Sequence, residues 1–477
     1  MMNTPYTKRI IIIPFALSLA YWTYLFFFSQ MSIVFDACGY EAAGKLIHEA
    51  GWVTFFKTGP QREPFYSLLI SISFALSELF NIHYQYMQKI IQIGLLLSTQ
   101  ILTLCILKKM RIHRAITALV ILYIGISPAL VGSAFSLFSE IVTYPFVLGV
   151  IIVSVYSWRL MLAGQGFRLF GAGLGLSFLF VILTLTKSIF QYIFWVCTIP
   201  FFVVFIQNIL KKDIRLCAVH LMFLTILFSG FYSCVISYKY LNHRYNGNFV
   251  ITNERSAGVL YGATARRSQE FNLKKLQTSL ASIPGDGVCR SFFDEKECFY
   301  WSFMNVDKLM AEKWGELAGI FPPAEIEKQL TLSARNEFFK NPSANMLFAA
   351  LESFKIFFWE STSAGFVLYP AFLTQIFQLT IFKNSLRLFV SLLTLISFFY
   401  GLFYFLRHWS MMSEASNQRM HVLFFCLLLI AGFTSLYALC YILIRYSFPV
   451  VPLFMICIAV FLDQAVLSIF QRKGARM

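Results

Sequence analysis

Charged side chains from distant parts of the chain stand where apolar stretches begin or end. Three carboxylates and three cations share this placement: Asp36, Glu63 and Glu140, and Arg62, Lys187 and Arg445. Charges are costly at membrane depth, so ionisable residues at the ends of spans are candidates for function. A carboxylate can accept the proton of an attacking hydroxyl, and cations can neutralise a phosphate. The pattern predicts a site that handles a charged lipid headgroup.

Each of these residues also has a purely structural explanation. Asp36 can be a solvated residue just past a helix end, and Glu140 can cap a helix start, where a carboxylate suits the dipole. Snorkelling to the membrane interface explains the three cations. Three tyrosines accompany the charged residues: Tyr40, Tyr66 and Tyr446. Anchoring among lipid headgroups is the favoured role for Tyr66 and Tyr446.

The composition requires a membrane protein. Hydrophobic residues make up 58% of the 477 residues, charged residues only 13%, and Phe alone contributes 54. Continuous apolar runs of roughly 20 residues can cross the hydrocarbon core as helices. The net charge of +16 lies largely in short clusters beside these runs, which is typical of cytoplasmic loops. The basicity is therefore a topological signal, and a nucleic-acid partner is not expected.

The alternation of apolar runs and basic clusters predicts an all-α polytopic protein with about ten transmembrane helices. The predicted spans are 10–30, 87–107, 115–134, 141–158, 169–186, 189–210, 216–237, 386–406, 421–443 and 448–470. Both termini are then cytoplasmic, and the candidate site faces the outside of what we expect to be a bacterial inner membrane. Residues 1–237 form an N-terminal membrane module whose first external loop, 31–86, carries an amphipathic surface helix at 65–80. Residues 346–477 form the C-terminal module, in which 346–381 is predicted either to lie on the membrane or to re-enter it.

The polar region 238–345 is predicted to be a small α/β extracytoplasmic domain. Short strands are expected at Val250–Ile251 and at 259–261, where β-branched, aromatic and aliphatic residues lie between turn residues. Cys289 and Cys298 both fall in this region, and outside the cytoplasm they form a plausible disulfide. Two unpaired thiols are the alternative.

Short motifs in chain order resemble the GT-C membrane glycosyltransferases, in the branch of the dolichyl-phosphate-mannose protein mannosyltransferases and aminoarabinose transferases. The motifs are "FDACGYEAAGKLIHEAGW", "QREPFYSLLISIS", "SPALVGSAFSLFSE", "TLTKS" and "RYSFPVVPL". Each is short, and the resemblance lies in their order from the first to the last predicted span.

The resemblance implies transfer of a sugar, with inversion, from a polyprenyl-phosphate-linked donor to a lipid, glycan or protein acceptor on the non-cytoplasmic face. It implies that Asp36 is the catalytic carboxylate and that Arg62, Lys187 and Arg445 bind the donor phosphate. The sequence departs from the family at "REPFY", so Glu63 is either a second carboxylate or a local variation. An Asp-x-Asp pair is missing from the first external loop, so neither a metal nor another cofactor is expected.

Two other functions remain open at this point. A flippase for a lipid-linked saccharide would show repeats and charges at the bilayer midplane. A polysaccharide polymerase or ligase with a diphosphate-linked donor would use an arginine-rich external loop. The chain has such arginines: Arg255, Arg266, Arg267 and Arg290.

Overall fold

The protein is an all-α, multi-pass membrane protein. Its computed structural model describes residues 5–252, 256–362, 365–414 and 416–474. In these ranges nine helices are long and apolar enough to cross a membrane, or ten if one bent pair counts as a single span. The expectation of a polytopic helical protein is thus confirmed, while the orientation of the termini stays a prediction.

The N-terminal part is a bundle of mostly long helices. They are α1 (Pro5–Phe28), α2 (Asp36–Thr58), α3 (Pro64–Phe80), α4 (Tyr84–Lys109), α5 (Arg114–Ile126), α6 (Pro128–Ala134), α7 (Glu140–Leu162), α8 (Gly166–Thr186), α9 (Phe190–Leu210) and α10 (Ile214–Asn246). Helix α3 has 17 residues and packs against α2, α4 and α8. It is shorter than the spans, and its placement on the membrane surface stays a prediction.

The predicted third span is broken in the structure. Helices α5 and α6 meet at an angle of 51°. The break falls at Ser127, because the residue before Pro128 is disfavoured in helical conformation. Glu360, which is fully buried, accepts hydrogen bonds there from the Ala129 amide at 3.0 Å and the Ser127 hydroxyl at 2.7 Å. A carboxylate from a distant loop therefore satisfies the backbone that the break leaves free.

The region outside the membrane part is helical. It contains α11 (Ser256–Arg267), α12 (Leu273–Ser282), α13 (Asp286–Arg290), α14 (Glu295–Tyr300), α15 (Phe303–Ala318), α16 (Pro323–Lys340), α17 (Pro342–Ser353), a 3₁₀ turn (Phe354–Phe357) and α18 (Ala371–Gln378). Two strands, β1 (Gln30–Met31) and β2 (Val367–Leu368), pair antiparallel. No described element between residues 346 and 379 is long enough to span a membrane.

The strands predicted for the α/β domain are wrong. Residues 259–261 lie inside α11, and Val250 and Ile251 lie in a loop. The reason is packing: Gly258 and Gly262 face α15 one turn apart, and a Cβ on Gly262 would stand 2.5 Å from the Val306 carbonyl oxygen. Close contact between helices outweighs the local β propensity of these residues. Cys289 and Cys298, the pair predicted to form a disulfide, are joined in the structure, with their Cα atoms 5.7 Å apart.

The chain ends in three more helices of the membrane part. They are α19 (Thr380–Arg407), α20 (Gln418–Leu439) and α21 (Val451–Gly474), with 3₁₀ segments at Trp409–Ser413 and Ile444–Val450. The spans that start at Glu140 and at Arg445 are the most enclosed of the nine, each 67% buried over its most apolar window. Both begin at the same end of the bundle, and the candidate site lies there.

Candidate active site

Asp36 is the first residue of α2 and lies between two guanidinium groups. Its Oδ1 accepts a hydrogen bond from Arg62 Nη2 at 2.7 Å, and its Oδ2 forms an ion pair with Arg445 Nη2. The Asp36 side chain is 28% exposed. Burial alone would raise the pKa of this carboxyl, but the two guanidinium groups outweigh it and lower the pKa below its usual range. Asp36 is therefore an accessible carboxylate that stays ionised well into the acid range.

Arg62 is positioned by an aromatic ring and by the space beside a glycine of α2, which has no side chain. Its guanidinium lies 5.3 Å from the centre of the Tyr40 ring. Gly39 provides the room, because a Cβ at that position would come within 2.7 Å of Arg62 Nε. A glycine one turn into α2 thus lets the arginine lie flat against the helix and reach Asp36.

Arg445 reaches Asp36 from the other end of the chain, at the start of the last span. The ring of Phe138 lies 5.4 Å from its guanidinium carbon and that of Tyr446 lies 5.7 Å from it. Tyr446 in turn stacks on Tyr437, with ring centres 4.9 Å apart. Arg445 Nε is buried and has no hydrogen-bond partner among the described residues. Aromatic rings therefore fix this guanidinium, and one of its buried donors has no acceptor in the described structure.

Lys187 and Glu140 form a second, more buried ion pair. Lys187 Nζ lies 3.0 Å from Glu140 Oε1, with side-chain exposures of 12% and 4%. Lys187 directly follows α8, where a cation suits the helix dipole. Burial would lower the pKa of Lys187, but Glu140 outweighs it and holds the pKa above its ordinary value. The lysine stays charged at neutral pH and stands 5.9 Å from the Tyr446 ring.

Glu63 connects three chain segments near Asp36. Its Oε1 accepts a hydrogen bond from the Ser188 amide at 3.3 Å, and its Oε2 accepts one from the Tyr40 hydroxyl at 3.4 Å. Tyr40 also shares a hydrogen bond of 3.0 Å with Ser139. Burial, together with the Glu63 carboxylate, raises the pKa of Tyr40, so the phenol stays protonated. Glu63 and Tyr40 bring the starts of α3, α7 and α9 close to Asp36.

Tyr66 lies behind the site. It is completely buried, its hydroxyl donates to Gln92 Oε1 at 2.9 Å, and its ring meets Tyr40 edge-on at 5.0 Å. Headgroup anchoring is therefore the wrong role for Tyr66. Gln92 also donates to the carbonyls of Ala134 and Ser136, which fixes the turn that leads into α7.

Some residues of the site were not singled out from the sequence. Phe138 and Ser139 directly precede Glu140 inside a motif that was recognised, so their position could have been noted. Phe366, whose ring lies 5.0 Å from that of Phe138, comes from a distant loop and has no local signal.

The arginines of the external region do not join this site. Arg266 and Arg267 are buried around Glu352, and Arg290 lies 3.6 Å from Glu295 at the surface. Arg255 lies outside the described residues.

Protein-family models, curated proteins and solved structures were all compared with this chain. None of them matches. Among the described residues, no group of three or more His, Cys, Asp or Glu side chains is arranged to hold a metal ion.

The chemistry available is that of an ionised carboxylate within a balanced set of charges. Three cations and three carboxylates meet at one end of the bundle: Arg62, Lys187 and Arg445, with Asp36, Glu63 and Glu140. Both arginines that hold Asp36 are of the type that binds phosphate in a bidentate manner. The arrangement can bind a phosphorylated ligand and accept a proton beside it.

Proposed function

We propose that the protein is a membrane glycosyltransferase that moves a sugar from a polyprenyl-phosphate-linked donor to an acceptor hydroxyl. One observation carries the proposal: the Asp36 carboxylate is shared by Arg62 and Arg445, while Lys187 and Glu140 pair beside it. The order of motifs, which resembles the GT-C glycosyltransferases, supports the same function.

The reaction is a single displacement at the anomeric carbon. The acceptor oxygen forms the new bond to that carbon, and the bond from the carbon to the phosphate oxygen breaks. The electron pair leaves with the phosphate, and the acceptor proton goes to Asp36. One displacement inverts the configuration at the anomeric carbon.

The charges of the site suit this step. The donor is a phosphodiester with one negative charge, and the product polyprenyl phosphate is a monoester that gains a second one. As Asp36 takes up the proton it loses its own charge, so Arg62 and Arg445 become available to the phosphate. Cations that change partner during the displacement stabilise the charge where it develops. Lys187 lies beside them and contributes a third positive charge.

The test is sugar transfer by the purified protein in lipid nanodiscs, with polyprenyl-monophosphate-linked hexoses and pentoses as donors. Asp36→Asn should lower the rate by about 10²–10⁴-fold, the usual contribution of a positioned general base. Glu49→Gln is the matched control, since Glu49 lies on the same helix, is 60% exposed and pairs only with Lys45 in the described structure.

Three outcomes would count against the proposal. Near-normal transfer in the Asp36→Asn protein removes the catalytic role. Activity only with diphosphate-linked donors favours a polymerase or ligase. Net movement of the carrier across a liposome membrane without a new glycosidic bond favours a flippase.

A further inference from the structure

Phe35, the residue directly before Asp36, is held in a conformation that a phenylalanine rarely adopts. Its φ is 51° and its ψ is −121°, and the Ala37 amide donates to the Val34 carbonyl at 3.1 Å. These values describe the first central position of a type II′ turn, which favours glycine. A bulky side chain at such a position costs free energy, and residues of this kind concentrate at functional sites.

The Phe35 ring is also open to its surroundings. It is 80% exposed, although it follows the last turn of α1 and precedes the catalytic carboxylate. The apolar part of α1 ends at Phe28, so Phe35 lies beyond that span. A role as a lipid-facing residue within the span therefore does not account for it.

A second ring extends the surface. Phe366 lies 5.8 Å from Phe35 and 5.0 Å from Phe138, whose face carries Arg445. The Phe366 carbonyl accepts a hydrogen bond from the Ser32 amide at 2.9 Å, and β1 pairs with β2 at Met31 and Val367. The backbone on both sides of the two rings is thus fixed by the strand pair. We call Phe35 and Phe366 the aromatic shelf.

We propose that the aromatic shelf is a binding subsite for a sugar ring, which stacks its C–H face on Phe35 and Phe366. This inference rests on the proposed function, for which it supplies the surface that positions the sugar beside Asp36. Aromatic faces attract the slightly positive hydrogens of an aliphatic ring face, and they hold it without a charge. The Asp36 carboxylate directly follows Phe35 in the chain, and it pairs with the Arg445 guanidinium, which lies against the Phe138 ring. The ion pair therefore stands beside the shelf. A sugar on the shelf would place its anomeric carbon, with the phosphate bonded to it, beside the Asp36–Arg445 pair.

Binding can be measured without turnover. The probes are methyl glycosides of glucose, mannose and arabinose, and the readout is saturation-transfer NMR with the protein in nanodiscs. We expect saturation of the ring C–H protons of at least one glycoside. Phe35→Leu, which keeps apolar bulk but loses the aromatic face, should reduce it by about two- to tenfold. Phe35→Tyr should retain it, and Phe35→Gly, which relaxes the turn, should lose it.

The control is Phe167→Leu, because Phe167 is 92% exposed but lies at the start of α8, at the end of the bundle opposite Lys187. Size-exclusion chromatography and thermal unfolding show whether Phe35→Leu folds. If it does not fold, Phe366→Leu gives the same comparison. Equal saturation in the Leu variants and the wild type overturns the proposal, as does saturation of no glycoside. Farnesyl phosphate is tested as a further probe. If its signal alone depends on Phe35, the shelf binds the isoprenoid chain and the proposal is wrong.

The two proposals fail separately. If Asp36→Asn keeps full transfer activity while Phe35→Leu loses saturation, the catalytic assignment falls and the sugar subsite stands. If Asp36→Asn abolishes transfer while Phe35→Leu keeps saturation, the subsite falls and the transferase stands.

Discussion

Asp36 and Arg445 lie near opposite ends of the chain and form an ion pair at one end of the helical bundle. The pair brings the link after the first helix onto the start of the last span. Because Arg62 binds the other oxygen of the same carboxylate, each arginine limits where the other can move. The chemistry of the site therefore depends on how tightly Asp36 is held.

The pKa of Asp36 should respond to Arg62. With both arginines present the pKa lies below its ordinary value, so Asp36 is ionised over a wider acid range than a solvated aspartate. Arg62→Gln removes one opposite charge and should move the acid limb of the pH profile of kcat/KM upwards by about one unit or more. Lys45→Gln, on the exposed face of α2, should leave the limb where it is. An unchanged limb in Arg62→Gln would show that the proton acceptor is another group.

Gly39→Ala should impair activity without harming the fold. The added Cβ would stand 2.7 Å from Arg62 Nε, and the flexible arginine can swing away from it and from Asp36. Losing a charge-assisted hydrogen bond should lower kcat/KM roughly ten- to a hundredfold, while alanine slightly favours the helix. Gly94→Ala is the control, since a Cβ there meets nothing within 4 Å. Full activity with Gly39→Ala would mean that the Arg62–Asp36 contact is dispensable.

The Lys187–Glu140 pair separates stability from catalysis. Lys187→Met leaves a buried carboxylate without its partner and should cost about 3–5 kcal/mol in stability. The double variant Lys187→Met/Glu140→Gln removes both charges and should recover most of the thermal stability but little of the transfer activity. Thermal unfolding and transfer rates of the single and double variants give the comparison. Recovery of both properties together would make the pair purely structural.

Glu352 should dominate the stability of the external helices. It lies fully buried between Arg266 and Arg267, with Lys355 Nζ at 3.3 Å. Burial alone would raise the pKa of Glu352, but these cations hold it well below its usual range. Its stabilising contribution is therefore complete above the ordinary carboxylate pKa of about 4.3 and is lost as the pH falls towards the lowered value.

Glu352→Gln would leave three buried cations without their carboxylate and should cost about 3–5 kcal/mol. Thermal unfolding should also depend less on pH below about 4 in this variant than in the wild type. Glu312→Gln, at a surface pair with Lys308, is the control and should change neither property. A small effect of Glu352→Gln at neutral pH would contradict the importance of this cluster.

The membrane helices were predictable because their signal is local. Nine described helices have the length and apolar composition of spans. Their ends were less predictable, since α10 runs from Ile214 to Asn246, well past the predicted end at 237. The break at Ser127 was harder to predict. Pro128 is a local signal for it, but the Glu360 carboxylate that binds the free Ala129 amide comes from far along the chain. Residues 259–261 carry local strand propensity and are helical because α15 and α16 pack against them.

The charged residues of the site could be predicted because a charge close to a membrane span is energetically costly. The partner of each charged residue could not be predicted in this way. Arg62, Lys187 and Arg445 stand out because a charge near a span requires a reason. Asp36 pairs with two arginines, whereas Glu140 pairs with the lysine. This choice of partners depends on how helices from both ends of the chain pack together. Phe366 belongs to no pattern in its own segment, and only the pairing of β1 with β2 brings it to Phe35.

Arg267 links the external helices to the membrane part. Its guanidinium donates to the carbonyls of Leu439 and Cys440, at 3.2 and 3.0 Å, where α20 ends. Moving the external helices α11–α17 away from the bundle as one rigid body would break these charged hydrogen bonds in a water-free interior. Such a lid-like opening is energetically expensive. If the protein is the proposed transferase, its donor should therefore enter sideways from the lipid phase, while the external helices stay in place.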